Sequence, residues 1–262
     1  MTSRLSGRVA WVTGGGRGIG RSIALAMAAE GAAVAVSSRS ETELEAVADE
    51  IRALGSNALA VRADAMSLDD TLAAAARIES ELGGVDILVN NAGGGVPPRT
   101  DSGLSREQID AFAFADNVDL NLFSAYRATR SVLRGMRERR YGRIINIGSG
   151  YAKRSGGALP YTAAKHGLVG LTKAMAGEVA GDGISVNCLC PGWTNTQLVD
   201  LDAMAAMRGT SVAEERARIA SENLQNRVLE PDELGPMAVL LASEDASSIT
   251  GQVISVDGGY KV

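Results

Sequence analysis

Seven short apolar runs alternate with stretches of helical spacing, and this alternation constrains the chain more than any other feature. The runs are 8–12, 33–38, 57–61, 85–89, 142–148, 184–190 and 252–257. The helical stretches lie near 18–30, 41–54, 68–82, 105–116, 119–140, 160–180 and 232–242. Short apolar strands joined through helices imply a parallel sheet covered on both faces, with right-handed crossovers. The expected fold is α/β: a doubly wound parallel sheet of about seven strands with helices on both faces. No repeat, low-complexity tract or linker interrupts residues 1–262, and one domain is expected. Ligands of such a sheet bind outside the carboxyl ends of the strands, where the strand order reverses.

The glycine turn, Asn90 to Gly93, Ser149 and Pro191 all fall at such ends, and two local motifs stand out. Thr13-Gly14-Gly15-Gly16-Arg17-Gly18-Ile19-Gly20 follows the apolar run Val9-Ala10-Trp11-Val12 and opens the helical stretch Ile23-Ala24-Leu25-Ala26-Met27-Ala28. In a strand–turn–helix setting, glycines let the backbone approach a dinucleotide pyrophosphate. The helix N-terminus then offers N–H groups and a positive dipole end. The second motif is Tyr161-Thr162-Ala163-Ala164-Lys165, twelve residues beyond Ser149. Positions i and i+4 share a helix face, so a phenol and an ammonium can meet there. A phenol ordinarily titrates near ~10, and a neighbouring cation is expected to lower that value.

With Asp64 after the third strand, Asn90-Asn91-Ala92-Gly93, Asn121, Pro191-Gly192 and Asp257-Gly258-Gly259, these motifs resemble the short-chain dehydrogenase/reductase family. The similarity is to its ordinary-length branch and runs from about Gly7 to Gly259. It points towards 3-oxoacyl thioester reductases and related hydroxyacyl or cyclic-alcohol dehydrogenases. The resemblance implies a Rossmann-type fold and reversible interconversion of a carbonyl and a secondary alcohol by hydride transfer. By that likeness Tyr161 is the general acid or base and Lys165 lowers its pKa and bonds the nicotinamide ribose. Ser149 holds the substrate oxygen, and Asn121 anchors a water relay, with Asn117 as a rival for that place. The cofactor contacts implied are Gly14, Gly16, Gly18, Ile19 and Gly20 in the turn, Asp64 at the adenine, and Asn91, Ala92 and Gly93 beside the turn. Tyr161, Lys165, Pro191, Gly192, Thr194 and Thr196 lie at the nicotinamide end.

The second run ends Val36-Ser37-Ser38-Arg39 without the acid that usually binds an adenosine 2′-hydroxyl. Ser38 fills that slot, and Arg39 and Arg17 can supply charge-assisted bonds to a 2′-phosphate. NADP(H) is therefore expected as the preferred cofactor, with NAD(H) possible, in a ketoreductase. The alternatives are an NAD-linked secondary-alcohol dehydrogenase and, further off, a non-catalytic dinucleotide sensor.

Residues 194–227 form the one irregular stretch, helical and charge-rich over 202–225. It reads as a substrate lid or as a solvated insertion. Residues 94–105, with Pro97-Pro98, are a pocket wall or a surface loop. Trp193 faces substrate or packs in the core. Arg127, Arg130, Arg134 and Arg137 make a basic stripe that could guide an acyl carrier or coenzyme A, or be a solvated face or oligomer contact. Asp182 stands where carrier-using relatives tend to show a basic residue. The formal net charge of −5 argues against nucleic acid or an anionic membrane as partner. With 4% aromatic residues, stacking on an aromatic substrate cannot be assumed. One histidine excludes a histidine-rich metal site, and no metal is expected. No export signal or membrane span is apparent. Cys188 and Cys190 are expected on opposite faces of one strand, unable to pair, in a reduced cytoplasmic protein. The resemblance implies a homotetramer built on helices 105–140 and 160–180 and on the C-terminal strand.

Overall fold

The computed structural model describes residues 3–96 and 103–261. Its strands are β1 (Val9–Thr13), β2 (Ala33–Ser38), β3 (Ala58–Arg62), β4 (Ile87–Asn90), β5 (Gly142–Ile147), β6 (Ile184–Pro191) and β7 (Val253–Val256). They form one parallel sheet in the order β3-β2-β1-β4-β5-β6-β7. The helices are α1 (Gly18–Ala29), α2 (Glu41–Ala53), α3 (Leu68–Leu82), α4 (Arg106–Val118), α5 (Ser124–Arg139), α6 (Leu159–Val179), α7 (Leu201–Arg208), α8 (Val212–Ala220) and α9 (Gly235–Ala242).

Alternation along each strand divides the core in two. Ala10 and Val12 of β1 face a layer built by α1, α2 and α9, through Ile23, Met27, Leu44, Ile51 and Val239. Val9 and Trp11 face the opposite layer, built by α3, α5 and α6, through Ile78, Leu133, Met136 and Met175. Each such side chain contributes roughly 1.5–3 kcal/mol on full burial. The first three strands step outward to one edge, and β4 returns to the other side of β1. Thr13 and Asn90 are register partners across that reversal, so the glycine turn and the Asn90–Gly93 turn leave the sheet at the same point. A buried polar chain ties the layers below it. Asn90 Nδ2 donates to Thr129 Oγ1 at 3.0 Å and Asn146 Oδ1 at 2.8 Å, and Asn146 Nδ2 donates to Thr172 Oγ1 at 2.9 Å.

Several expectations are corrected in detail. The stretches 105–116 and 119–140 are one continuous rod, because a π turn at Asp119–Phe123 joins α4 to α5. The pattern over 202–225 resolves into two helices, and a Ser211–Glu214 capping box begins the second. Both ends of the irregular stretch meet: Asn195 N donates to Leu229 O at 2.8 Å and Leu229 N to Trp193 O at 2.9 Å. Cys188 and Cys190 do not point to opposite faces. Residues two apart on a strand share a face, and their Sγ atoms lie 3.7 Å apart in a small buried cluster. Pro97 and Pro98 lie outside the described residues. Among the described residues, no helix is long and apolar enough to cross a membrane, and no cluster of His, Cys, Asp or Glu suits a metal ion.

Candidate active site

The turn after β1 is shaped to receive an anion. Helices α2, α3, α4, α7 and α8 each begin with a Ser or Asp side chain accepting a backbone N–H. Helix α1 has neither a side-chain cap nor an acid in its first turn, so its N-terminal N–H groups and dipole face the cleft. Gly20 must be glycine, because a Cβ there would collide with the Gly14 carbonyl oxygen. Asn91 locks the two turns together: its Nδ2 donates to Thr13 O at 3.1 Å and Gly14 O at 2.9 Å. Thr13 Oγ1 accepts from Asn91 N and Ala92 N at 3.1 and 3.0 Å.

A continuous cleft of about 890 Å³ runs from this turn along the strand ends. At one end it is lined by Gly16, Arg17, Ser38, Arg39 and Asp64. Arg17 is paired with Glu43 Oε1 at 3.4 Å, and Asp64 Oδ1 accepts from Met66 N at 2.9 Å. At the other end Pro191 closes β6, and Thr194 Oγ1 donates to Gly192 O at 3.0 Å. Thr196 lies beside Gly18, where a Cβ would sit 3.2 Å from its methyl carbon. Gly18 and Ile19 line the same floor. An uncapped helix, a glycine cradle and two guanidinium groups around an acid-free strand end suit a dinucleotide carrying an adenosine 2′-phosphate.

Midway along the cleft Ser149, Tyr161 and Lys165 converge. Ser149 leaves β5 in extended backbone, and its Oγ accepts from Tyr151 N at 3.1 Å. That bond occupies a lone pair and leaves the hydroxyl proton to be donated into the cleft. Helix α6 starts at Leu159 with Pro160 in its first turn, which suits proline. Tyr161 and Lys165 then share one face, with Lys165 Nζ 5.7 Å from the Tyr161 ring centroid. Lys165 is buried, and its Nζ donates to Ile147 O at 2.8 Å.

The expected effect of the lysine on the phenol is not what the protein alone exhibits. Removal from water pushes the Tyr161 phenol up, and a hydrogen bond with Ser149 counters it. Burial lowers Lys165 itself to about 8. Holding this ammonium in the interior is therefore unfavourable for the fold.

The π turn brings Asn121 to the same place. Its Nδ2 donates to Asn117 O at 3.0 Å and Gly94 O at 2.8 Å, while Oδ1 accepts from Gly94 N at 2.9 Å. A Cβ on Gly93 would meet Asn121 Oδ1 at 2.8 Å and Lys165 Nζ at 3.3 Å, so only glycine lets these two close in. The rival Asn117 bonds Ala113 O at 2.8 Å and Val96 N at 3.3 Å. It steadies the loop after β4 rather than the lysine.

Every expected site residue except Gly20 and Asn121 lines this one cleft. Those two stand directly behind its wall, Gly20 against Gly14 and Asn121 against Gly93. Of the two places open to Trp193, the structure gives it the cleft. The fold adds others that spacing did not mark: Tyr151 and Tyr260 join it there. Glu43 stands against Arg17. Tyr151, only two residues after Ser149, had a weak positional signal; Tyr260 and Glu43 had none, since only folding brings them near.

The comparisons agree with this geometry. The family model of the short chain dehydrogenases matches residues 8–204. A 3-oxoacyl-[acyl-carrier-protein] reductase of Vibrio harveyi is 37% identical over 256 residues, covering 97% of this chain and 98% of its own. Among solved structures, a point variant of the actinorhodin polyketide ketoreductase with NADPH superposes with a TM-score of 0.89 at 36% identity, covering 100% of this chain and 99% of the other. The L-sorbose reductase of Gluconobacter frateurii, complexed with NADPH and L-sorbose, gives a TM-score of 0.88 at 31% identity and the same coverage. The chain belongs to the short-chain dehydrogenase/reductase family.

Proposed function

We propose that the protein is an NADP(H)-dependent ketoreductase acting on a small carbonyl compound. The observation that carries this reading is the convergence of Ser149, Tyr161 and buried Lys165 beside the uncapped α1 turn. Relatives described as acyl-carrier, polyketide and sorbose reductases, two of them in complex with NADPH, support it. The turn residues Gly14 to Gly20, with Asn91, Ala92 and Gly93, hold the pyrophosphate and the adjoining ribose. Ser38, Arg39 and Arg17 receive the 2′-phosphate, and Asp64 the adenine edge. Pro191, Gly192, Thr194 and Thr196 border the nicotinamide.

The bound cofactor supplies the hydride. Tyr161 donates the proton to the carbonyl oxygen in reduction and accepts it in oxidation. Ser149, with its lone pair committed to Tyr151 N, donates a hydrogen bond to the same oxygen and stabilises developing alkoxide charge. Lys165 places a cation beside the phenol and favours its ionised form as the proton leaves. Asn121, bonded to both backbone groups of Gly94 and standing with Lys165 against Gly93, anchors a water relay from the lysine to solvent. Absorbance of reduced nicotinamide, followed with a panel of ketones, tests the reading. Tyr161→Phe should lower turnover about 10²- to 10⁴-fold with cofactor affinity retained; a variant as active as the parent would refute the assignment.

A carrier-borne 3-oxoacyl group is the second reading, favoured by the relatives' description. The basic stripe speaks against it. Arg127 pairs with Asp119 at 2.6 Å, Arg130 with Glu178 at 3.1 Å, and Arg137 with Glu178 and Asp182 at 2.9 Å. We further infer one catalytic unit with a lid over 194–227, in a cytoplasmic homotetramer. Phe114, Phe123 and Tyr126 are exposed along the α4–α5 rod, an apolar surface suited to a second copy. A monomeric mass by light scattering would overturn the assembly.

A further inference from the structure

Three aromatic rings from distant parts of the chain meet at the substrate end of the cleft. Tyr151 stands edge-to-face with Trp193, centroids 6.2 Å apart at 89°, and with Tyr260 at 6.0 Å and 87°. Such T-shaped pairs stabilise by about 0.5–1.5 kcal/mol each beyond burial. The backbone has been cleared to seat them. A Cβ on Gly150 would strike the Tyr260 ring at 2.6 Å, and one on Gly156 the Tyr151 ring at 2.8 Å.

Trp193 is also held from behind. Its Nε1 donates to Glu222 Oε2 at 2.9 Å. Glu222 lies just beyond α8, does not line the cleft, and is itself fixed from two sides. Arg218 Nη1 donates to its Oε1 at 2.6 Å, and Lys261 Nζ lies 3.2 Å from Oε2. The Lys261 backbone N–H donates to the Glu222 carbonyl at 2.9 Å. One carboxylate therefore ties the indole, the lid helix and the C-terminal turn together.

We propose that Tyr151 and Trp193, backed by the buried ring of Tyr260, form a recognition wall for a flat ring fused to the reacting carbonyl, with Glu222 as the positioning residue that sets Trp193. This rests on the ketoreductase reading. Pre-set rings bury flat area without ordering new rotors, whereas an open chain must give up its own rotamers on the same surface. The wall therefore selects cyclic, planar ketones over open-chain ones.

The test uses α-tetralone as the flat probe and ethyl acetoacetate as the open-chain probe. Trp193→Ala should raise KM for α-tetralone about tenfold or more, change kcat little, and leave ethyl acetoacetate within about twofold; Trp193→Phe should recover most of the loss. Glu222→Ala should reproduce the Trp193→Ala pattern, and Glu222→Gln, which keeps an acceptor for the indole, should be milder. Equal effects of Trp193→Ala on both probes would overturn the wall, and a Glu222→Ala effect on kcat alone would overturn the positioning role. Binding is read separately, as quenching of indole fluorescence by α-tetralone with NADP⁺ present, using Trp193→Phe as reference. Quenching confined to the parent, without turnover of either ketone, would uphold the wall and sink the ketoreductase reading. Turnover of ethyl acetoacetate with no Trp193-dependent quenching would do the reverse.

Discussion

Replacing Lys165 by methionine should abolish turnover and yet make the protein more stable at neutral pH. The Lys165 ammonium is fully enclosed, and burial brings its pKa from 10.5 to about 8. At ~1.4 kcal/mol per pKa unit, holding it charged costs the fold roughly 3 kcal/mol. Methionine fills similar volume without charge. It also forfeits the 2.8 Å bond to Ile147 O, a loss of about 1 kcal/mol. The net gain is roughly 2 kcal/mol, or about 4–8 °C in midpoint for a chain of this size. The pH dependence carries the sign. Between about 8 and 10.5 the unfolded lysine holds a proton that the folded one has lost, so parent stability rises with pH through that window. The variant's advantage should be full below about pH 8 and fade towards pH 10.5. Denaturant unfolding of both proteins on either side of that window measures it. A variant less stable than the parent at neutral pH, or an advantage that does not shrink on the alkaline side, would refute the reasoning.

The cofactor end yields three further outcomes. Ser38→Asp places an anion where the 2′-phosphate would sit, and should cut the NADPH-over-NADH affinity ratio at least about tenfold, read by titration calorimetry. Glu43→Gln frees Arg17 from its 3.4 Å partner and should tighten NADPH by up to about fivefold with NADH unchanged, since an exposed pair is worth only about 0.2–1 kcal/mol; equal gains for both cofactors would count against it. Gly20→Ala forces a methyl against the Gly14 carbonyl, and should destabilise the fold by about 1–3 kcal/mol while weakening NADPH binding. An unchanged unfolding midpoint would show that the turn is looser than its contacts imply.

Much of the architecture is legible in the chain because its signals are local. The apolar runs lie within a residue or two of the strand ends, as Val9–Thr13 against 8–12 illustrates. The glycine turn reads correctly because a strand, a tight turn and a helix are adjacent in sequence. Tyr161 and Lys165 lie on one face of α6, as expected, because four residues is a helical repeat. The continuity of α4 into α5 is not legible: the π turn at Asp119–Phe123 adds one residue of register and places Asn121 against Gly94, a tertiary contact that propensity does not announce. The basic stripe is visible, but not that Asp119, Glu178 and Asp182 pair three of its four arginines and leave Arg134 exposed.

The order of residues alone specifies the layered sheet, the place of the cofactor turn, and the spacing of the serine, tyrosine and lysine. Hydrophobic period, turn chemistry and helical repeat act over a few residues and survive without knowledge of neighbours. The substrate wall exists only once the chain has folded. A composition of 4% aromatics gives no reason to expect rings at the site, but Tyr151, Trp193 and Tyr260 leave the ends of β5, β6 and β7. Parallel pairing places those carboxyl ends side by side, so three residues that no window along the chain contains together become one surface.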